Sequence, residues 1–279
     1  MKLHTIDTGL FKLDGGAMFG VVPKTIWQKT NPADDNNLCT WAMRCLLIED
    51  GDRLTLVDTG IGDKQDSKFL GHYYLHGDDT MDKSLAALGF NRSDITDVFL
   101  THLHFDHCGG AIVRDGDKLK PAFERATYWS NEKHWEWAVN PNDREKASFL
   151  KENILPIQES GQLKFVPDEE GQTFQEDVKI RFAYGHTDAM MLPQINYKGR
   201  TIVYMADLIP SIGHVPIPYV MSYDMFPLTT IVEKKSFLQE AVENDYILFM
   251  EHDRMNECCT LQQTEKGVRV NEIFKLSDL

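Results

Sequence analysis

Residues 101–110, THLHFDHCGG, limit what this chain can fold into more than any other stretch, because His102, His104, Asp106 and His107 place four potential metal ligands within six positions. The run just before them, ITDVFL at 95–100, is rich in β-branched and aromatic residues and reads as a buried strand, so the ligands begin where a strand ends. In a short loop the alternate residues His102 and His104 can point the same way, and the following turn brings Asp106 and His107 to a second point nearby. Gly109 and Gly110 then permit a tight turn that a side chain would obstruct. Imidazoles and a carboxylate are borderline donors that suit zinc, iron(II), cobalt or manganese better than calcium. One ion satisfies three of these groups, and the full set suggests two.

The same placement recurs along the chain. Residues 3–13 read as an early strand, and 39–48 and 53–57 as a hairpin closed by EDGD. LTLV ends at Asp58, where a carboxylate is suited to accept the proton of a ligand histidine's outer nitrogen and fix its tautomer. Met81, Leu85 and Leu88 recur at helical spacing ahead of Gly89, and 128–155 reads as largely helical, with His134 an ordinary surface or packing histidine. Residues 178–183 alternate as a strand that delivers His186 in GHTD, 201–205 deliver Asp207, and 246–250 end at His252. Thr230 with Glu233 predicts a capping box opening a helix with Phe237, Leu238, Ala241 and Val242 on its buried side. A lone histidine after a strand is usually structural. Four strand ends that each present a histidine or aspartate point instead to one site.

No linker or repeat divides the 279 residues, which predicts a single α/β domain over 1–279. Lysine and arginine total 29 against 43 acidic residues, a formal charge of -14 that repels a phosphate backbone overall, so no nucleic-acid partner is expected, although a metal centre can invert the potential locally and leave room for a small anion. No apolar run is long enough for a membrane span or a leader, so no membrane partner is expected. Five cysteines without a disulfide pattern suit a reducing cytoplasm, and Cys108 is not needed as a ligand. The segment 17–27, with Met18, Phe19, Val21 and Trp27, has no clean period and reads either as core filler or as a flap or subunit contact, the last of which predicts a homodimer.

These residues resemble the metallo-β-lactamase fold hydrolases: HLHFDH matches the family's HxHxDH signature, and GHTD, MAD and EHD match its later ligand segments. The resemblance covers nearly the whole chain. It implies an αββα sandwich of two mixed β-sheets flanked by helices. By motif position it implies that His102, His104 and His186 hold one divalent metal ion, that Asp106, His107 and His252 hold a second, and that Asp207 bridges them, with zinc the default and iron, cobalt or manganese able to replace it. Such a pair lowers the pKa of a water molecule and supplies the nucleophile for hydrolysis.

Within that superfamily the chain looks like the N-acyl homoserine lactone lactonases of the quorum-quenching branch. The implied reaction opens the lactone ring to give an N-acyl homoserine, with Asp106 passing a proton to the departing alkoxide. The tyrosine that the best-known lactonases carry three residues after the bridging aspartate is absent, since position 210 is proline. Tyr223, in the segment ADLIPSIGHVPIPYVMSYDMFP, is the candidate replacement, with His214 and Tyr219 as alternatives. An apolar groove for the acyl tail is expected from Met18, Phe19, Val21 and Trp27 together with Ile209, Ile212, Val215, Ile217 and Met221, each of which could equally belong to the core. An organophosphate triester or another neutral ester needs much the same site and is the alternative substrate.

Overall fold

The computed structural model describes residues 1–279. Its strands are β1 (Lys2–Asp14), β2 (Leu38–Asp50), β3 (Arg53–Val57), β4 (Asp97–Phe99), β5 (Ile112–Asp115), β6 (Lys118–Pro121), β7 (Thr127–Asn131), β8 (Leu163–Val166), β9 (Thr173–Gln175), β10 (Val178–Ala183), β11 (Met190–Tyr197), β12 (Arg200–Tyr204), β13 (Ile247–Phe249), β14 (Cys258–Thr264) and β15 (Gly267–Phe274). Its helices are α1 (Gly15–Phe19), α2 (Lys24–Trp27), α3 (Ser67–Gly71), α4 (Met81–Ala87), α5 (Phe105–Cys108), α6 (Glu132–Val139), α7 (Lys151–Glu159) and α8 (Pro227–Glu243). By internal contacts the chain divides into two compact units, Met1–Gly9 with Met43–Glu169 and Leu10–Ala42 with Glu170–Leu279, so that β1 and β2 contribute to both.

In the first unit, a six-stranded mixed sheet runs in the order β1-β2-β3-β4-β7-β8. β2 and β3 pair antiparallel as the expected hairpin, with Leu47 opposite Leu56, and Gly51 at φ 61° supplies the left-handed position of the turn. β3, β4, β7 and β8 are parallel, which requires crossovers. The β3–β4 crossover contains α4, whose N-terminus Thr80 caps by accepting from Lys83 N–H and whose exit is Gly89 at φ 83°. Ile6, Leu47, Leu56, Val98, Leu100, Phe123, Tyr128 and Ile154 form the core. The expected helical stretch at 128–155 is corrected at its start and in its middle: Tyr128 lies in β7, and the helical residues fall into α6 and α7 on either side of an irregular segment.

The second unit carries a seven-stranded sheet in the order β15-β14-β13-β12-β11-β10-β9. β10, β11 and β12 form an antiparallel meander, and α8 is the crossover joining β12 to the parallel β13. β10, β12 and β13 therefore run the same way, and their C-terminal ends lie at one edge of the sheet. α8 begins at Pro227 in the first helical position, and Thr230 lies inside it with its hydroxyl against Phe226 O, so the expected capping box is not formed. Phe237, Leu238 and Ala241 are buried as the pattern predicted. No helix is long and apolar enough to cross a membrane.

Candidate metal-binding site

In the first unit, β3 ends at Asp58 and its parallel neighbour β4 runs into the ligand loop, which α5 turns back in a single helical turn. The backbone carbonyls of that turn are taken by neighbouring segments: His107 O accepts from Thr59 N–H and Thr59 Oγ1, and Gly109 O accepts from the buried Lys64 ammonium. A Cβ on Gly109 would lie 2.2 Å from Ile61 O, and one on Gly110 2.2 Å from Thr59 O. The two glycines are needed for this close approach of backbones rather than for a left-handed turn.

Outer partners fix every imidazole of this loop. Asp58, itself at φ 58°, accepts from Thr101 N–H at 2.8 Å and Thr101 Oγ1 at 2.7 Å, and its Oδ2 lies 3.0 Å from His107 Nδ1. His107 Nδ1 therefore carries the proton and Nε2 the lone pair. Since the Thr101 hydroxyl proton goes to Asp58, its oxygen accepts from His102 Nδ1 at 3.1 Å, leaving the lone pair of His102 on Nε2. Glu145 accepts from His104 Nε2 at 3.0 Å, leaving the lone pair of His104 on Nδ1. These two lone pairs face each other across 3.0 Å. Two neutral acceptors at that distance repel unless a cation lies between them, and two donors on one zinc at tetrahedral angles sit about 3.3 Å apart.

The second unit repeats the pattern with ligands from three strands. His186 follows β10, Asp207 follows β12 through Ala206 at φ 41°, and His252 follows β13. A left-handed non-glycine residue is uncommon and concentrates at functional sites. Asp224 lies 2.9 Å from His186 Nδ1, and the Ala42 carbonyl, which can only accept, lies 2.8 Å from His252 Nδ1. Both histidines thus turn Nε2 toward Asp207, at 3.0 Å from Oδ2 and 3.1 Å from Oδ1 respectively, where it holds either a proton or a metal ion. Burial alone would lower the pKa of His186, but the Asp207 and Asp224 carboxylates overcome it and push it up to about 10. The arrangement demands positive charge. The donor sets of nitrogen and oxygen atoms suit divalent metal ions: His102, His104, Asp106 and His107 in one unit and His186, Asp207 and His252 in the other.

The other expected site residues are placed differently. His214 is 1 % exposed, with Nδ1 against Ser211 Oγ and Nε2 against Met18 O, both at 2.8 Å, and its ring stacks on Phe19 at 4.3 Å. With both nitrogens taken and burial holding its pKa down at about 3, it is a neutral interior residue, which corrects its candidacy as a donor to an oxyanion. Tyr223 is 37 % exposed and immediately precedes Asp224, and Tyr219 is half-buried. Of the expected groove residues, Met18, Phe19, Trp27, Ile209, Val215 and Met221 are 3 % exposed or less, Ile212 and Ile217 are half-buried, and Val21 is 90 % exposed. The 17–27 segment thus folds into α1 and α2 with its large rings packed inside its own unit, Phe19 stacked on Trp27 at 5.4 Å.

Sequence reasoning missed Glu145, Asp224 and Thr101 as partners of ligand histidines, and of its two readings of His134, surface or packing, the packing one holds. His134 is fully buried, and its Nε2 accepts from Leu103 N–H at 2.9 Å, between two ligand residues. Its position just after β7 repeats the strand-end rule that marked the others. Also missed was an aromatic wall: Phe105 packs against Phe69 at 5.4 Å and Tyr73 at 4.6 Å, and burial, reinforced by the Asp106 carboxylate, pushes the Tyr73 hydroxyl up to about 12. Cys108 donates to Leu103 O and burial pushes its thiol up to about 12, so it offers no thiolate.

A family model described as the metallo-beta-lactamase superfamily matches residues 44–252. Among solved structures, a probable metal-dependent hydrolase from Staphylococcus aureus superposes with a TM-score of 0.88 at 26% identity, over 98% of this chain and 96% of its own. AidC, a dizinc quorum-quenching lactonase in complex with a product, superposes at 0.79 with 22% identity over 98% and 94%. The hydrolase AbOPH of the beta lactamase superfamily superposes at 0.77 with 19% identity over 98% and 94%. No curated protein matches the chain in sequence. The two mixed sheets with flanking helices are those of these neighbours.

Proposed function

From the premise that this chain belongs to the metallo-β-lactamase superfamily and is a metal-dependent hydrolase, we propose that it opens the lactone ring of N-acyl homoserine lactones. The observation that carries the metal-dependent reading is the set of imidazole lone pairs turned by outer partners toward another lone pair or a carboxylate. His102, His104 and His186 would hold one divalent ion, Asp106, His107 and His252 a second, and Asp207 both, with zinc the default. Bound there, the ions supply an acidified water and polarise a carbonyl oxygen.

The chain's own residues do the rest. Asp58, Glu145, Thr101 and Asp224 hold the imidazoles in the tautomers that binding needs. Asp106 is the group that returns a proton to the departing alkoxide oxygen. Tyr223, or Tyr73 near Asp106, donates a hydrogen bond to the oxygen on which charge develops and keeps its proton. The wall of Phe69, Tyr73 and Phe105 receives apolar substrate and excludes water. Two lactonases among the structural neighbours, AidC and an N-acyl homoserine lactone hydrolase with N-hexanoyl-L-homoserine at its catalytic metal centre, support this substrate class, as does a net charge of -14 that disfavours anionic substrates. Homodimerisation belongs to the same proposal, with Val21 and Ile26 the exposed apolar residues of the 17–27 segment.

The test compares kcat/KM of metal-replete protein on a tailed homoserine lactone, a plain aliphatic lactone, a neutral phosphotriester, a β-lactam and a glutathione thioester. The tailed lactone should lead by at least about tenfold, roughly 1.4 kcal/mol of transition-state stabilisation. A phosphotriester that leads instead transfers the assignment to triester hydrolysis. Tyr73→Phe and Tyr223→Phe then identify the donor, the one that acts losing about 10- to 1,000-fold in kcat with metal content unchanged.

A further inference from the structure

Glu233 and Lys234 are adjacent on α8, and each reaches away from the helix to a different loop. Glu233 accepts from Tyr184 N–H at 2.7 Å and Gly185 N–H at 3.1 Å, the two residues before His186. Lys234, whose side chain is fully buried, donates to Pro216 O and Tyr219 O, both at 2.8 Å. A buried ammonium is costly unless its protons are used, and this one is used on an irregular segment whose other backbone bonds are the short turns Tyr219 N–H to Pro216 O and Val220 N–H to Pro218 O and the link Ser222 N–H to Ala17 O. That segment leads into Asp224, the acceptor of His186 Nδ1–H.

The two loops are joined directly. Met225 N–H donates to His186 O at 3.0 Å and Phe226 N–H to Gly185 O at 2.8 Å. Gly185 admits the first turn of α8, since a Cβ there would lie 2.3 Å from Thr230 N. The second oxygen of Asp224 is buried and accepts from no protein donor, so the carboxylate is placed by its backbone rather than by a hydrogen-bond network of its own. Its backbone is placed in turn by what holds residues 216–219 and 184–186.

We infer that Glu233 and Lys234 are positioning residues for His186, Glu233 by fixing the loop that carries the ring and Lys234 by fixing the segment that carries its Asp224 acceptor. This rests on His186 being a metal ligand, as proposed above. The pair acts through Asp224 and the loop backbone and touches neither substrate nor the reacting atoms.

The test uses wild type, Lys234→Met, Asp224→Ala and the double variant, with cobalt(II) alone as the titrant. Lys234→Met should weaken cobalt(II) binding about tenfold, the lower end of what losing an outer partner costs, and change the visible absorption of the bound ion. The double variant should bind no more weakly than Asp224→Ala, because an effect that runs through Asp224 vanishes with it. Additive losses would overturn the inference. In metal-free protein the His186 Nδ1–H proton should give a downfield resonance, assigned by its loss in Asp224→Ala, that Lys234→Met shifts or broadens. An unchanged resonance also overturns the inference. If Lys234→Met does not fold, Glu233→Gln takes the cobalt(II) titration and the resonance measurement alone, without the Asp224→Ala cycle, since it acts on the loop backbone, keeps the shape and turns an amide group against one of the two N–H donors. Wild type that binds no cobalt(II) overturns the metal reading itself, and the resonance then decides the positioning role without it.

Discussion

The ligand loop of the first unit and the ligand set of the second present lone pairs by different means. In the first, four donor residues share one turn of chain after β4, so their spacing is set locally and their neighbours, Asp58, Thr101 and Glu145, only choose the tautomers. In the second, His186, Asp207 and His252 leave three strands, and their approach depends on strand direction, on α8 and on a backbone carbonyl from Ala42. A local cluster tolerates the loss of one member. A dispersed set depends on the member that the others face, which here is Asp207, with an imidazole at each carboxylate oxygen.

Asp207→Ala is therefore expected to have the largest effect. It leaves His186 and His252 with no common partner, whereas His107→Ala leaves His102 and His104 facing each other unchanged. Elemental analysis after reconstitution should find about two ions per wild-type chain, fewer for Asp207→Ala than for His107→Ala. The loss of kcat/KM in Asp207→Ala should exceed the roughly 10- to 100-fold typical of losing an outer partner. Equal metal content in the two variants would abolish the contrast between the units.

A second contrast concerns buried histidines. His107 and His186 are paired with carboxylates, while His214 in the second unit has only a hydroxyl and a carbonyl. At pH 7.5 His214 is neutral folded or unfolded. Below its ordinary value of 6.5 the unfolded chain takes up a proton that the folded ring, held at about 3 by burial, refuses. Stability is therefore lost as pH falls from 6.5 toward 3, amounting to about 2 kcal/mol between pH 7.5 and 5. Urea midpoints of metal-replete protein at the two pH values should converge in His214→Asn relative to wild type, even though the variant starts lower because its stacking on Phe19 is gone. An identical drop in both proteins would remove His214 from the acid response.

The same difference explains what could be read from the residues alone. HLHFDH was legible because its chemistry is dense and its preceding strand is short and apolar, and His186, Asp207 and His252 because each follows such a strand. Asp58 could be singled out because it ends a strand, and it lies against His107. Glu145 and Asp224 follow no strand. They come from irregular segments whose course is set by packing, and no periodicity announces them. The apolar residues at 17–27 and 209–221 were legible as apolar, but whether such a side chain faces a groove or the interior depends on what packs over it. The stacking of Phe19 between Trp27 and His214 has no counterpart in the local pattern.

The smallest expected effect separates a local signal from a tertiary one on the same helix. Thr230 and Glu233 have the spacing of a capping box, and if they formed one, Thr230→Ala would cost about 1 kcal/mol by orphaning a helix N–H. In the structure α8 starts at Pro227, Thr230 N–H already bonds to Phe226 O, and Glu233 spends both oxygens on Tyr184 and Gly185. The Thr230 hydroxyl is a weak contact at 3.4 Å to Phe226 O, and alanine has the higher helix propensity. Thr230→Ala should therefore change the free energy of unfolding in urea by less than about 0.5 kcal/mol, with cobalt(II) affinity unchanged because Glu233 keeps its hold on the His186 loop. A loss near 1 kcal/mol would restore the cap and move the start of α8 to Thr230, which would leave residues 227–229 outside the helix and remove the first turn that now packs against Gly185.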